Sequence, residues 1–350
     1  MEKGYEICSS IKGEKHMYKV GMYGGSFNPM HNGHLECIIK AACLCEKLYV
    51  VLSRGDKRDE IDYKVRYRWL YQATKHIGNV KILILEDQCA SKAEYTLAVS
   101  KADSEYIKRE IGEPIDIVFC GSDYDETSFW NVNYPDSEFY VFKRDEISST
   151  ELRKNVYKHW DWLPNFVKPY FVKKVLIIGL ESSGKSVMTV NLANYFNTNY
   201  IEEAGRGLSE KSGTDLMMLN EDFTEILLTQ KMNEMKAARY SNKVLFCDTD
   251  CLITQFYLNF LEGDEENKKL SDAISDINKY DLILFLAPDV KWVQDGDRSE
   301  EIRDNRPRYR EMLADIYNSH GKRFEYIEGD YLTKFNRCVE LVNEMLEKNT

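Results

Sequence analysis

His31 and His34 stand three residues apart in the run Gly24-Gly25-Ser26-Phe27-Asn28-Pro29-Met30-His31-Asn32-Gly33-His34, between an apolar β-branched stretch and a helical pattern. Glycines there let the backbone approach a ligand, and the helix beyond offers unpaired N–H groups to an anion. On a helix such spacing points both imidazoles the same way, toward whatever the glycine loop holds. The same residues also suit a tight strand-to-helix turn with two polar caps, or a metal pair. A metal would need Asp, Glu or Cys ligands at the right spacing, and none completes a set. About 115 residues later, Ile147-Ser148-Ser149-Thr150-Glu151-Leu152-Arg153 reads as a helix start, with Ser148 as N-cap and Glu151 as its capping-box partner. Hydroxyls at a helix N-terminus, with Arg153 one turn on, also make a grip for part of a triphosphate.

Farther along, Gly179-Leu180-Glu181-Ser182-Ser183-Gly184-Lys185-Ser186 fits G-x-x-x-x-G-K-[ST] between the strand pattern Val175 to Ile178 and the helical pattern Val187 to Phe196, the context of a P-loop. Its amides would cradle ATP phosphates along Glu181, Ser182, Ser183 and Gly184, Lys185 would reach the β/γ oxygens, and the Ser186 hydroxyl would bind magnesium. Glu202-Glu203-Ala204-Gly205-Arg206 and Asp248-Thr249-Asp250 each follow a strand pattern, where such folds place carboxylates for magnesium and an acceptor hydroxyl. Either acidic pair is also compatible with a solvated strand end. Asp248 is expected to join Ser186 at magnesium, with Glu203, Arg206 and Asp250 on the substrate side. Trp292-Val293-Gln294-Asp295-Gly296-Asp297-Arg298, then Arg303, Arg306, Arg308 and Arg310, form either a solvated helix face or a lid over the transferring phosphoryl group. The neighbouring P-loop favours the lid. Arg298 and Arg306 are then expected on ATP, and Trp292 and Asp295 on the substrate.

These residues need a scaffold, and the chain has the pattern of one. Short β-branched runs alternate with helical periodicity from end to end, the signature of βαβ units and parallel sheets, so an α/β class is expected. Strands are expected at Lys19 to Tyr23, Leu48 to Leu52, Val80 to Leu85, Ile115 to Phe119, Glu138 to Phe142, Val175 to Ile178, Val244 to Cys247, Leu282 to Leu286 and Phe324 to Ile327. Leu35, Ile38, Ile39 and Ala42 repeat at helical spacing directly after the histidines. Cys37, Cys43 and Cys45 fall within that same apolar pattern and are expected as core thiols. Trp160, Trp162, Phe166, Pro164 and Pro169 mark a packed connector. The boundary is placed there, giving an N-terminal extension over 1–18 and domains over 19–167 and 168–350.

Length and charge narrow the functions. At 350 residues two domains are expected. The 47 Lys and Arg against 58 Asp and Glu leave a formal charge of -11, the wrong sign for binding a phosphate backbone. Apolar stretches such as Leu282 to Ala287 fall far short of the ~20 residues that span a bilayer. No nucleic acid and no membrane are therefore expected. Nine cysteines, an odd number without a Cys-x-x-Cys pair, do not form a disulfide or zinc framework, and a cytoplasmic location is expected.

The first two segments resemble the paired signatures of the adenylyl- and cytidylyltransferase superfamily. The resemblance implies a Rossmann-like nucleotidyltransferase domain in which Gly24, Gly25, Ser26, Phe27, His31, His34, Ser149, Thr150 and Arg153 bind ATP. His31 and His34 would contact phosphates and stabilise the leaving pyrophosphate, with Thr150 and Arg153 holding its β- and γ-phosphates. The order of all the pieces is similar to the NadR-type bifunctional enzymes, a nicotinamide mononucleotide (NMN) adenylyltransferase fused to a ribosylnicotinamide kinase. The similarity also includes Asp56-Lys57-Arg58-Asp59, Arg68-Trp69-Leu70 and Val167-Lys168-Pro169-Tyr170-Phe171, while Cys120-Gly121-Ser122-Asp123-Tyr124-Asp125 departs from the family. It implies an NAD salvage enzyme using ATP and Mg2+, with ATP, NMN, ribosylnicotinamide and NAD as its small-molecule partners; a homo-oligomer is left open. Its implied catalytic residues are His31, His34, Arg153, Lys185, Asp248 and Glu203. Some members carry an N-terminal helix-turn-helix; the 18 residues before the first strand are too few for that module, so no DNA-binding role is expected. The alternatives are a transferase and kinase pair acting on a different nucleoside, and a nucleotide-sensing regulator with weak turnover.

Overall fold

Apolar runs separated by amphipathic stretches build two five-stranded sheets, each with parallel pairings throughout. One sheet lies in each of the two compact units into which the chain divides, Met1–Val167 and Lys168–Thr350. The structure, a computed structural model, describes residues 17–348 apart from 56, 58–60, 90, 122–127, 143–146, 213–216, 262–264 and 294–297, with the backbone alone at 92, 209, 210, 260, 261, 265 and 266.

The first unit runs β1 (Tyr18–Gly25), α1 (Asn32–Leu44), β2 (Cys45–Arg54), α2 (Tyr63–Thr74), β3 (Val80–Glu86), α3 (Leu97–Ile111), β4 (Ile117–Gly121), α4 (Phe129–Val132), β5 (Glu138–Phe142) and α5 (Ser149–Lys154). Its strand order is β3-β2-β1-β4-β5. The second runs β6 (Lys173–Ile178), α6 (Lys185–Tyr195), β7 (Tyr200–Ile201), α7 (Gly205–Ser212), α8 (Asn220–Ala237), β8 (Val244–Asp248), α9 (Cys251–Leu261), α10 (Glu265–Ile277), β9 (Leu282–Leu286), α11 (Glu300–Asp304), α12 (Arg306–Ser319), β10 (Glu325–Ile327) and α13 (Tyr331–Glu347). Its order is β10-β9-β6-β8-β7.

In both sheets the first strand lies in the middle, with the chain leaving to one side and later returning to the other. That reversal opens a crevice beyond the strand ends, where α/β sheets bind ligands. The central strands read as continuous apolar runs because helices cover both faces. Along β6, Leu176 and Ile178 pack into one cluster with Leu252, Phe256 and Leu313, while Val175 and Ile177 pack into another with Met188, Leu192 and Val342. Each such side chain contributes about 1.5–3 kcal/mol by its burial.

One element differs from expectation. Cys45 does not belong to the helix of Cys37 and Cys43 but opens β2, with extended backbone (φ -127°, ψ 148°) directly after Leu44. Pairing of Cys45 with Tyr18, the first rung of a seven-rung ladder between β1 and β2, outweighs another helical residue. Among the described residues no helix is long and apolar enough to cross a membrane.

Candidate active sites

β1 ends at Gly25 and α1 starts at Asn32, so the intervening loop crosses the open end of the first sheet where the strand order reverses. Both histidines are buried there, with rings stacked 3.7 Å apart at 24° and the Phe27 ring meeting His34 edge-on at 5.0 Å. The His31 N–H donates to His34 Nδ1 at 3.3 Å. An accepting Nδ1 leaves the proton of a neutral ring on Nε2, so His34 offers an N–H donor there.

The second segment closes on this loop. Ser148 caps α5 by accepting the Glu151 N–H at 3.1 Å. The Glu151 carboxylate, expected to complete a capping box, instead takes the Lys154 ammonium at 2.7 Å, which holds its pKa below the usual value. Ser149 donates to the Pro29 carbonyl at 3.1 Å, and Arg153 donates to the Asn28 carbonyl at 2.5 Å and the Thr150 hydroxyl at 3.2 Å. Thr150, Arg153, Ser149 and the histidine loop are thus brought together.

Two supports of this site lie outside the expected set. Arg66 on α2 is fully buried and donates to the carbonyls of Ser26 (2.6 Å), Ser53 (2.9 Å) and Ile61 (2.9 Å). Losing it would cost about 1–3 kcal/mol for each carbonyl left unpaired. Its signal was its place on one helical face with Trp69, Leu70 and Ala73, the face that α2 buries. Trp130 of α4 covers Gly24, where a Cβ would meet its ring at 2.6 Å, so only glycine fits that position.

In the second unit, the P-loop bridges β6 and α6 with Gly179 at φ 148°, a conformation that favours glycine; a Cβ there would also meet the Leu286 carbonyl at 2.7 Å. Lys185 Nζ turns into the loop and donates to the Leu180 carbonyl at 3.1 Å. A cavity of about 520 Å³ beside the loop is lined by Ser186, Glu202, Glu203, Arg206 and Asp248 among others. Arg206 donates to the Ser186 hydroxyl at 3.0 Å. Burial pushes the Asp248 carboxyl up, while Lys185, a hydrogen bond with Ser186, and Arg206 pull it down. Asp248 Oδ1 is buried and has no hydrogen-bond partner among the described residues, which leaves a free lone pair on the carboxylate that also bonds Ser186. A hard cation that keeps several waters fits such an oxygen pair.

Asp250, expected on the substrate, does not line this cavity. Its carboxylate accepts the Tyr317 hydroxyl at 2.5 Å and the Leu252 N–H at 3.0 Å, binding α12 to the start of α9. Burial pushes its pKa up to about 6 against those bonds. A carboxyl raised on folding contributes stability that is complete below its unfolded value, about pH 4, and is lost as pH rises through its folded value. Asp250→Asn is therefore expected to flatten the fall in thermal midpoint between about pH 4 and about pH 6, measured by calorimetry. An unchanged slope would refute the assignment.

The arginine segment divides. Ser182 Oγ accepts the Val293 N–H at 2.8 Å and the Glu181 carboxylate accepts the Ser299 N–H at 2.9 Å, so these P-loop side chains grip the segment following β9. Arg298 donates to the Val293 carbonyl in the same segment. Arg306 donates to the carbonyls of Pro288 (2.7 Å) and Val290 (3.0 Å) and lies 4.9 Å from the Trp292 ring centre. Arg303 pairs with Asp304 and Glu300, and Arg310 bonds Tyr326, on exposed helix faces. For these two the solvated-face alternative holds, because Glu300 and Asp304 satisfy Arg303 within its own helix and Tyr326 with the adjacent Glu311 satisfies Arg310. Asp295 lies outside the described residues, as do Asp56, Arg58, Asp59 and residues 122–125 of the motifs named above.

The sequence matches the cytidylyltransferase-like family over residues 22–155 and the AAA domain family over 174–334. It is 30% identical over 343 residues to the trifunctional NAD biosynthesis/regulator protein NadR of Escherichia coli K12, covering 93% of this chain and 83% of that one. The chain belongs to the NadR family. The NadR of Salmonella typhimurium LT2 is 29% identical over the same shares. A crystal structure of a NadR protein in complex with NAD and AMP-PNP superposes with a TM-score of 0.77 at 21% identity, over 95% of this chain and 97% of that one. The fold is therefore the NadR fold, a nucleotidyltransferase-like unit and a P-loop unit.

Proposed function

We propose that the chain phosphorylates ribosylnicotinamide to NMN in residues 168–350 and transfers an adenylyl group from ATP to NMN, giving NAD and pyrophosphate, in residues 19–167. The observation that carries this is the meeting of Ser149, Thr150 and Arg153 with the histidine loop, in the same chain as a P-loop beside an unpartnered Asp248 oxygen. The NAD-biosynthetic names of relatives matching over 93% of the chain support the choice of substrates.

For adenylyl transfer, an oxygen of the NMN phosphate attacks the α-phosphorus of ATP while the bond to pyrophosphate breaks. The attacking group is already an anion, so no general base is needed and the protein orients and neutralises. His34 Nε2–H and His31 meet the charge growing on the bridging oxygen, with Thr150 and Arg153 on the departing phosphates. For the kinase, the 5′-hydroxyl of the riboside attacks the γ-phosphorus, ADP leaves, and Glu203 orients the hydroxyl and accepts its proton. Asp248 and Ser186 would hold Mg2+, which supplies charge neutralisation on the phosphates when bound. Small molecules in the cytoplasm complete the proposal; at a net charge of -11, DNA does not.

The deciding experiment incubates the chain with ribosylnicotinamide and Mg-ATP and separates the products by chromatography. NMN and NAD are expected; other products from other nucleosides, or no ATP consumption, would replace this function with one of its rivals. Asp248→Asn and Glu203→Gln should each lower kinase kcat by about 10²-fold. High magnesium should partly rescue only Asp248→Asn, and rescue of Glu203→Gln instead would exchange the two roles.

A further inference from the structure

No motif marks α8, yet it holds the two acid-bearing strand ends together. Gln230, in its middle, is 6% exposed. Its Nε2 donates to the Asp248 carbonyl at 3.0 Å and the Thr249 carbonyl at 3.2 Å, and its Oε1 accepts the Ala204 N–H at 2.9 Å. Only one orientation of an amide gives two donors to the carbonyls and an acceptor to the N–H. The contacts fall beside both proposed acids: Asp248 itself, and Ala204, next to Glu203. They also hold Thr249 at φ 66°, a left-handed conformation that a β-branched residue keeps only under constraint.

The helix is itself fixed to the sheet. One turn beyond Gln230, Glu234 is 2% exposed and accepts from Lys174 of β6 at 2.6 Å, Lys231 at 3.3 Å and the Tyr280 hydroxyl at 3.0 Å. A rigid line thus runs from the P-loop strand through Glu234 and α8 to Gln230, and from there to both strand ends.

We propose that Gln230 is a positioning residue for phosphoryl transfer, setting the Asp248 carboxylate beside Ser186 and Glu203 across the cavity from it. This rests on the kinase function proposed above. Side chains that orient a metal's own ligands change metal affinity or turnover by about 10–100-fold when altered.

Two substitutions in the full chain separate positioning from plain core damage. Gln230→Glu keeps the acceptor for Ala204 but sets an oxygen against two carbonyls, whereas Gln230→Leu removes all three bonds. Three quantities are read: the thermal midpoint, the magnesium concentration that half-saturates binding of a non-hydrolysable ATP analogue by calorimetry, and the kcat and KM for riboside. In Gln230→Glu the magnesium requirement should rise by about 10-fold or more while the riboside KM stays within about threefold. In Gln230→Leu both should rise, and adenylylation of NMN should be unchanged in each. Unchanged magnesium requirement and KM in folded variants would overturn the proposal. So would losses that only track the folded fraction. Should Gln230→Leu fail to fold, Gln230→Glu alone decides by its split between magnesium and riboside. A wild-type chain that binds Mg-nucleotide but phosphorylates no riboside overturns the kinase function instead, and the magnesium titration still decides the role of Gln230.

Discussion

Lys185→Ala is expected to abolish phosphorylation of ribosylnicotinamide while NAD still forms from supplied NMN at the wild-type rate. Lys185 begins α6 with Nζ turned into the P-loop, 3.1 Å from the Leu180 carbonyl, where it would meet the β/γ oxygens of ATP. No other lysine lies in the loop. The charge it supplies grows in importance as the γ-phosphoryl group departs, and losing such a donor lowers kcat by at least about 10²- to 10³-fold. Two separate assays check this, one starting from riboside and one from NMN. Loss of both activities in a folded variant would sink the model of two independent sites.

His34→Ala is expected to lower kcat for adenylylation by about 10²- to 10³-fold, the usual scale for one lost transition-state donor. The KM for NMN should change little, because the Nε2–H acts on charge that appears only as pyrophosphate leaves. Kinase turnover should stay at the wild-type level. A variant that loses bound metal and keeps its turnover would assign the histidines to a metal instead.

Both sheets were legible because parallel strands covered on both faces leave uninterrupted apolar runs, such as Leu282–Leu286 and Val244–Asp248. The phosphate loops were legible because glycines at fixed offsets between strand and helix have few other uses. What escaped was support supplied from a distance. Gln230 sits mid-helix 18 residues before Asp248, and no local pattern tells a buried amide from an exposed one. Asp250 shows the opposite limit: β8 ends at Asp248, and the left-handed turn at Thr249 (φ 66°) aims the acid two residues on at Tyr317 instead of the cavity, so acids close in sequence need not share a site. The arginines of α11 and α12 show the same limit. Composition marks them as cationic, but only the contacts of Arg303 with Glu300 and Asp304 reveal charge already spent.

The bond from Arg153 to the Asn28 carbonyl spans 125 residues, and that from the Ser299 N–H to Glu181 spans 118. A ribosome releases the chain N-terminus first, so each phosphate loop leaves the tunnel well before the residue that fastens it, on the order of 10 s earlier at ordinary elongation rates. Each site thus has its own moment of completion during synthesis, at α5 for the first and at α11 for the second. A nascent chain stalled between the two would carry a finished histidine site and an unfastened P-loop.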